Sequence, residues 1–122
     1  MYTVEQKRAY LIDTFKQNIE TYVKELAENT AVLAEIMRQK QLELSCTGAD
    51  IVREYRINGH YYTLESALKY VNQAAEALAN QRKALNDVKY GSDAVINSSF
   101  EVYDVLIETG LLPAPETNND EY

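Results

Sequence analysis

Cysteine, histidine, tryptophan, proline and glycine are all scarce in this 122-residue chain, which has one Cys, one His, no Trp, two Pro and four Gly. One thiol, Cys46, cannot close an internal disulfide, and one Cys with one His cannot build a transition-metal site without carboxylates. With no base placed to activate it, Cys46 is expected to be a small buried or half-buried hydrophobe. His60 has neither a nucleophile nor an orienting partner in any recognisable pattern. It is read as a cross-strand packing residue rather than a general base. The acidic residues lack the Glu-x-x-His spacing of carboxylate-bridged di-iron bundles. The glycines at 48, 59, 91 and 110 are isolated, so none belongs to a phosphate-cradling loop. The expectation is a non-enzymatic chain with no cofactor and no metal.

Long apolar runs are missing too. No stretch approaches the ~20 residues needed to span a bilayer, and MYTVEQKRAY at the N-terminus has no signal-peptide apolar segment. Cytoplasmic synthesis, with no membrane partner, is expected. Positive charge is in deficit, with 12 Lys and Arg against 19 Asp and Glu for a net charge of −7. Broad, sequence-independent nucleic-acid binding needs the opposite balance, and basic protein partners fit this one.

What is abundant is helix-forming: Ala, Leu, Glu, Lys and Gln are common and Gly and Pro rare. The length suits one domain, and its composition of 46% hydrophobic and 25% charged residues is that of a globular chain. Ten tyrosines add contact area with a polar tip, a residue type enriched at protein interfaces. Residues 1–112 are read as a single mainly α domain with one β-hairpin at 51–63. Residues 113–122, broken by proline and then acidic, are read as a disordered tail.

In order, Thr3 to about Leu44 reads as one long helix. Thr3 and Gln6 resemble a capping box, and apolar positions recur at Ile12, Phe15, Ile19, Tyr22, Leu26, Leu33 and Met37. Unbroken, such a helix reaches about 60 Å, longer than a domain of this size needs. Either it breaks near Asn29-Thr30 or it projects and associates with another copy, and projection is favoured. Phe15, Ile19, Tyr22, Leu26, Leu33 and Met37 are then the candidate oligomer interface.

Gly48 suits the helix exit. Residues 51–57 and 60–63 form a hairpin around Asn58-Gly59, the preferred pair for a type I′ turn. That turn places Ile57 across from His60, Arg56 from Tyr61 and Tyr55 from Tyr62. Tyr55, Ile57, His60 and Tyr62 should therefore face the helices, with Glu54, Arg56, Tyr61 and Thr63 outward. Thr63 caps a second helix whose seam reads Leu64, Leu68, Val71, Ala75, Leu78, Arg82 and Leu85. It is expected to lie antiparallel to the first. A third, shorter helix begins after a cap at Ser92 or Asp93, or else at Ser98 or Ser99, and stops at Gly110. The hairpin's cationic and aromatic patch, Arg53, Tyr55, Arg56, Tyr61 and Tyr62, is the candidate partner-binding site.

The run from the Thr47-Gly48 exit through Arg53-Glu54-Tyr55-Arg56-Ile57-Asn58-Gly59-His60-Tyr61-Tyr62 to the helix opening Thr63-Leu64-Glu65-Ser66-Ala67-Leu68 resembles the lambda-type phage head-completion (head–tail joining) proteins. The resemblance covers about Leu42 to Leu85. It implies a small virion component forming a ring beneath the portal, found in the host cytoplasm or the virion. Arg53 and Arg56 match the family's basic hairpin positions. The longer first helix, the added third helix and tail, and the missing basic character are departures from it.

Two functional expectations follow. The first is a structural or adaptor protein that forms homo-oligomers or docks on a larger viral assembly, as a head–tail connector component does. The second is a small acidic inhibitor that occupies the basic surface of a nucleic-acid-binding protein or an enzyme.

Overall fold

The computed structural model of the chain describes residues 2–49 and 52–115. Its elements run α1 (Val4–Thr47), β1 (Tyr55–Ile57), β2 (His60–Tyr62), α2 (Leu64–Tyr90) and α3 (Asp93–Glu108). This is the mainly α architecture with one hairpin that the sequence predicts, and α1 and α2 pack against each other.

Local chemistry sets each boundary. At the start of α1 the Thr3 N–H donates to Gln6 Oε1 at 2.9 Å and the Gln6 N–H returns to Thr3 Oγ1 at 3.1 Å. Two otherwise orphaned donors are thereby satisfied. Helix α1 continues through Asn29-Thr30 without a break. It ends at Thr47 because Gly48 turns to φ +68, a left-handed conformation costly for a residue with a Cβ. Thr63 and Ser66 make the same reciprocal pair at the start of α2, both at 2.9 Å. Ser92 caps α3 through the Val95 N–H. Gly110, at φ +78, stops α3, with the Leu111 N–H reaching back to the Leu106 carbonyl at 2.9 Å.

Contacts within the chain gather into two compact units, Met1–Ile19 with Asn80–Tyr122 and Glu20–Ala79. In the first, Leu11 and Phe15 of α1, Val88 of α2, and Ile96 and Phe100 of α3 form a buried core. Tyr2 and Tyr10 meet Phe100 edge-on at 6.0 and 5.7 Å, and Tyr103 meets Phe15 at 6.1 Å, a favoured geometry for aromatic pairs. The Arg8 guanidinium donates to the carbonyls of Val88, Lys89 and Gly91, where α2 ends. Tyr10 donates its hydroxyl to the Pro113 carbonyl at 2.9 Å, so the first residue of the expected tail is tied to α1. Residues 116–122 of that tail lie outside the described residues.

In the second unit the core is Ile36, Tyr55 and Ala67, with Val32, Leu33, Ile57, Tyr62 and Leu64 packed around it. The hairpin register is the expected one: Tyr55 pairs with Tyr62, Arg56 with Tyr61 and Ile57 with His60. Asn58 and Gly59 both take positive φ, 53° and 83°, as a type I′ turn requires. The strands are shorter than the predicted 51–63. The return strand ends at Tyr62 because Thr63 caps α2, so residues 52–54 have nothing to pair with. The Val52 N–H goes to the Glu43 carboxylate at 2.9 Å. Ile51 lies outside the described residues.

Two helix phases differ from the sequence reading. The inward positions of α2 are Leu64, Ala67, Val71, Ala74, Leu78, Gln81, Leu85 and Val88, whereas Leu68, Ala75 and Arg82 face solvent. This phase leaves the Arg82 charge in water and turns two small alanines inward, which allows close helix approach. On α1 the fully buried residues are Leu11 and Ile36, each one place before the expected Ile12 and Met37. Both ends are displaced by the same single residue, about 100° around the helix, so the apolar neighbours Leu11 and Ile36 take the inward positions in place of Ile12 and Met37. Cys46, expected to be at least half-buried, is exposed in the last turn of α1. The neighbouring Glu43, not Cys46, meets the returning chain.

Candidate functional site

The hairpin sorts its five candidate contact residues by strand alternation. Tyr55 is only 3% exposed and belongs to the core. Tyr62 is half-buried, edge-on to His60 at 6.5 Å and to Tyr70 at 6.3 Å. Arg53, Arg56 and Tyr61 face solvent. The Arg56 guanidinium lies 5.8 Å from the centre of the Tyr61 ring, a cation–π contact across the strand pair. Tyr61 nevertheless keeps 68% of its surface exposed. This outer face therefore presents an aromatic ring with one guanidinium, that of Arg56, against it on paired backbone, while Arg53 is exposed ahead of β1.

The six residues expected at an oligomer interface also separate. Phe15 is buried in the chain's own core, and Ile19, Tyr22, Leu26 and Leu33 are half-buried. Met37 remains, 55% exposed. Next to it Glu35 accepts from the Arg38 guanidinium and from Gln39. Those hydrogen bonds, the Arg38 one foremost, hold the Glu35 carboxyl down at about 2.

Other exposed apolar residues lie outside the two expected contact sets, among them Leu68, which the sequence reading placed in the α2 seam. Leu68 on α2 is 44% exposed and sits in a shallow recess with Glu65, Lys69, Asn72, Gln73 and Glu76. Val102 and Val105 on α3 are 67% and 59% exposed. The signal for Leu68 was present in the sequence, because Leu64, Val71, Leu78 and Leu85 fit two seams and Leu68 belongs to only one of them.

Among the described residues no group of three His, Cys, Asp or Glu side chains is placed to hold a metal ion. No helix among them is long and apolar enough to cross a membrane. His60 is exposed and its ring meets Tyr62. The arrangement can bind through aromatic, guanidinium and aliphatic contacts. No family model, no curated protein and no solved structure matches the chain.

Proposed function

We propose that this chain is a non-enzymatic structural or adaptor protein that works by protein contact, either assembling with copies of itself or docking on a larger assembly. The observation that carries this reading is the outer face of the hairpin, where Tyr61 is 68% exposed with the Arg56 guanidinium against its ring. Tyrosine and arginine are the residues on which interface energy concentrates. A component of a phage head–tail connector, present in the host cytoplasm or the virion, is the specific role that the helix–hairpin–helix order resembles. Light scattering across a dilution series, together with binding to a recombinant candidate partner, tests the reading. Self-association or partner binding weakened by combined Arg56→Ala and Tyr61→Ala substitutions supports it. A strict monomer that binds no protein overturns it.

One observation favours a second reading, the acidic inhibitor. Helix α3 carries Asp93, Glu101, Asp104 and Glu108 and no lysine or arginine, and exposes Val102 and Val105 among them. That face suits a basic protein surface, and its binding would weaken steeply with added salt.

A further inference from the structure

Along the outer side of α1 in the Glu20–Ala79 unit, Ala27, Thr30, Ala34, Met37, Gln41 and Leu44 are all exposed. They recur in alternating steps of three and four, and none is charged. Charge on the exposed positions of the same stretch, at Lys24, Glu25, Glu28 and Arg38, lies off this stripe. The stripe is centred about 130° around the helix from the side of Ile36, at 3.6 residues per turn, and so is separate from the face that packs within the chain. Met37 and Leu44 leave 55% and 44% of their surfaces in water.

We propose that this stripe is the seam of an antiparallel homodimer, with α1 of a second copy as its occupant. The inference deepens the assembly reading above and rests on it. Size and charge select the occupant and its direction. In the antiparallel register that sets Ala34 against Met37 of the second copy, Ala27 meets Leu44 and Thr30 meets Gln41. Each alanine then faces a long apolar side chain, and the two polar residues face each other, able to share a hydrogen bond. Flanking the seam, Arg38 lies across from Ala31 of the second copy and Lys40 across from Leu33, so no like charges are opposed. A parallel pair would stack Ala27 on Ala27 and Ala34 on Ala34, leaving gaps, while Met37 crowded Met37. The seam ends where charge returns, at Glu20 on one side, and where α1 stops at Gly48 on the other.

Sedimentation velocity over a concentration series, joined to a distance measurement on a spin label at the native Cys46, tests the proposal. In the antiparallel register Cys46 lies level with Glu25 of the second copy, so the labels sit about 30 Å apart along the axis at 1.5 Å per residue. A concentration-dependent dimer with that separation is expected. Ala34→Glu should raise its dissociation constant by about tenfold or more, and Met37→Gln by less. Val102→Glu on α3 should leave it unchanged. Ala34→Glu adds a good helix former at an exposed site, and circular dichroism checks that the fold survives. A chain that stays monomeric, a dimer indifferent to Ala34→Glu, or labels closer than about 20 Å, as side-by-side parallel helices would hold them, overturns the proposal. The broader reading is separable. Oligomers that persist in Ala34→Glu, or partner binding lost on altering Tyr61, leave it standing while this seam fails.

Discussion

Arg8, in the second turn of α1, donates to the carbonyl of Val88 at 2.6 Å, three residues before α2 gives way to Gly91. Its other terminal nitrogen reaches the Gly91 carbonyl at 2.9 Å. Carbonyls at a helix C-terminus lack intrahelical donors and carry the negative end of the helix dipole, so a guanidinium there satisfies both needs. Arg8→Ala is expected to destabilise the chain by about 1.5–3 kcal/mol, the range for hydrogen bonds to a charged group. Arg8→Lys should recover only part of this, since an ammonium cannot present a fork to separate carbonyls. Urea unfolding of the three proteins measures both.

Gly91 is needed for space rather than for its dihedral angle. A Cβ there would press on the Asp87 carbonyl and lie 2.9 Å from Val95 Cγ1. Gly91→Ala should therefore cost about 1–3 kcal/mol, as overpacking does. Gly59→Ala, which meets no atom within 4 Å, is strained only by its positive φ. Comparing their unfolding midpoints separates crowding from backbone strain.

The two hairpin faces should respond oppositely to alanine. Tyr55→Ala removes a ring from the Ile36–Ala67 cluster and should cost about 3–5 kcal/mol, as for other buried aromatics. Tyr61→Ala should change stability by no more than about 0.5 kcal/mol. Thermal unfolding reads the first effect. Binding or association assays read Tyr61, whose loss should be felt there.

Glu35 offers a titration check. Its carboxyl is held at about 2 by hydrogen bonds from Arg38 and Gln39, against an ordinary value of 4.5. A depressed folded value means that the linked stability is present above pH 4.5 and disappears as pH falls toward 2. The effect on stability is small because the pair is solvent-exposed. Carbon-detected NMR titration of the Glu35 carboxyl should show its midpoint rising toward the ordinary range in Arg38→Ala.

Tyr103 and Tyr10 move the other way, with burial first and then each one's tyrosine neighbour pushing the phenol above its ordinary value of 10. The folded chain thus holds these protons longer than the unfolded one. Their linked stability is complete below pH 10 and is lost as pH rises through the raised values. In an ultraviolet titration these two phenols should ionise above pH 10, and Tyr103→Phe should remove part of the absorbance change there.

Features decided by a few neighbouring residues were legible in the sequence. Asn58-Gly59 fixed the turn and, through it, every cross-strand pair. Thr3 and Thr63 marked the starts of α1 and α2, whereas Ser92 was one of four candidate starts for α3 and only the structure selects it. Properties that depend on which side of a helix meets its neighbour were not legible. Leu64, Val71, Leu78 and Leu85 are common to two phases of α2, and only packing against α1 chooses Ala67 and Ala74 over Leu68 and Ala75. The same ambiguity hid Leu11 and Ile36 behind the apolar Ile12 and Met37. It also spread the candidate surface over residues such as Tyr55 and Phe15, whose bulk the chain uses for its own interior.

The length of the loop at Asn58-Gly59 decides which tyrosine the finger shows. Adjacent strand residues point to opposite sides, so one extra residue after Gly59, with the two-residue turn kept, would enter the returning strand and slide it by a single step. Tyr61 would then point into the interior and Tyr62 outward, with Arg56 left without its ring. A variant with one alanine inserted after Gly59 should accordingly lose stability unless the closing pair Ile57–His60 is kept by a three-residue loop, and thermal unfolding of that variant shows which of the two the chain adopts.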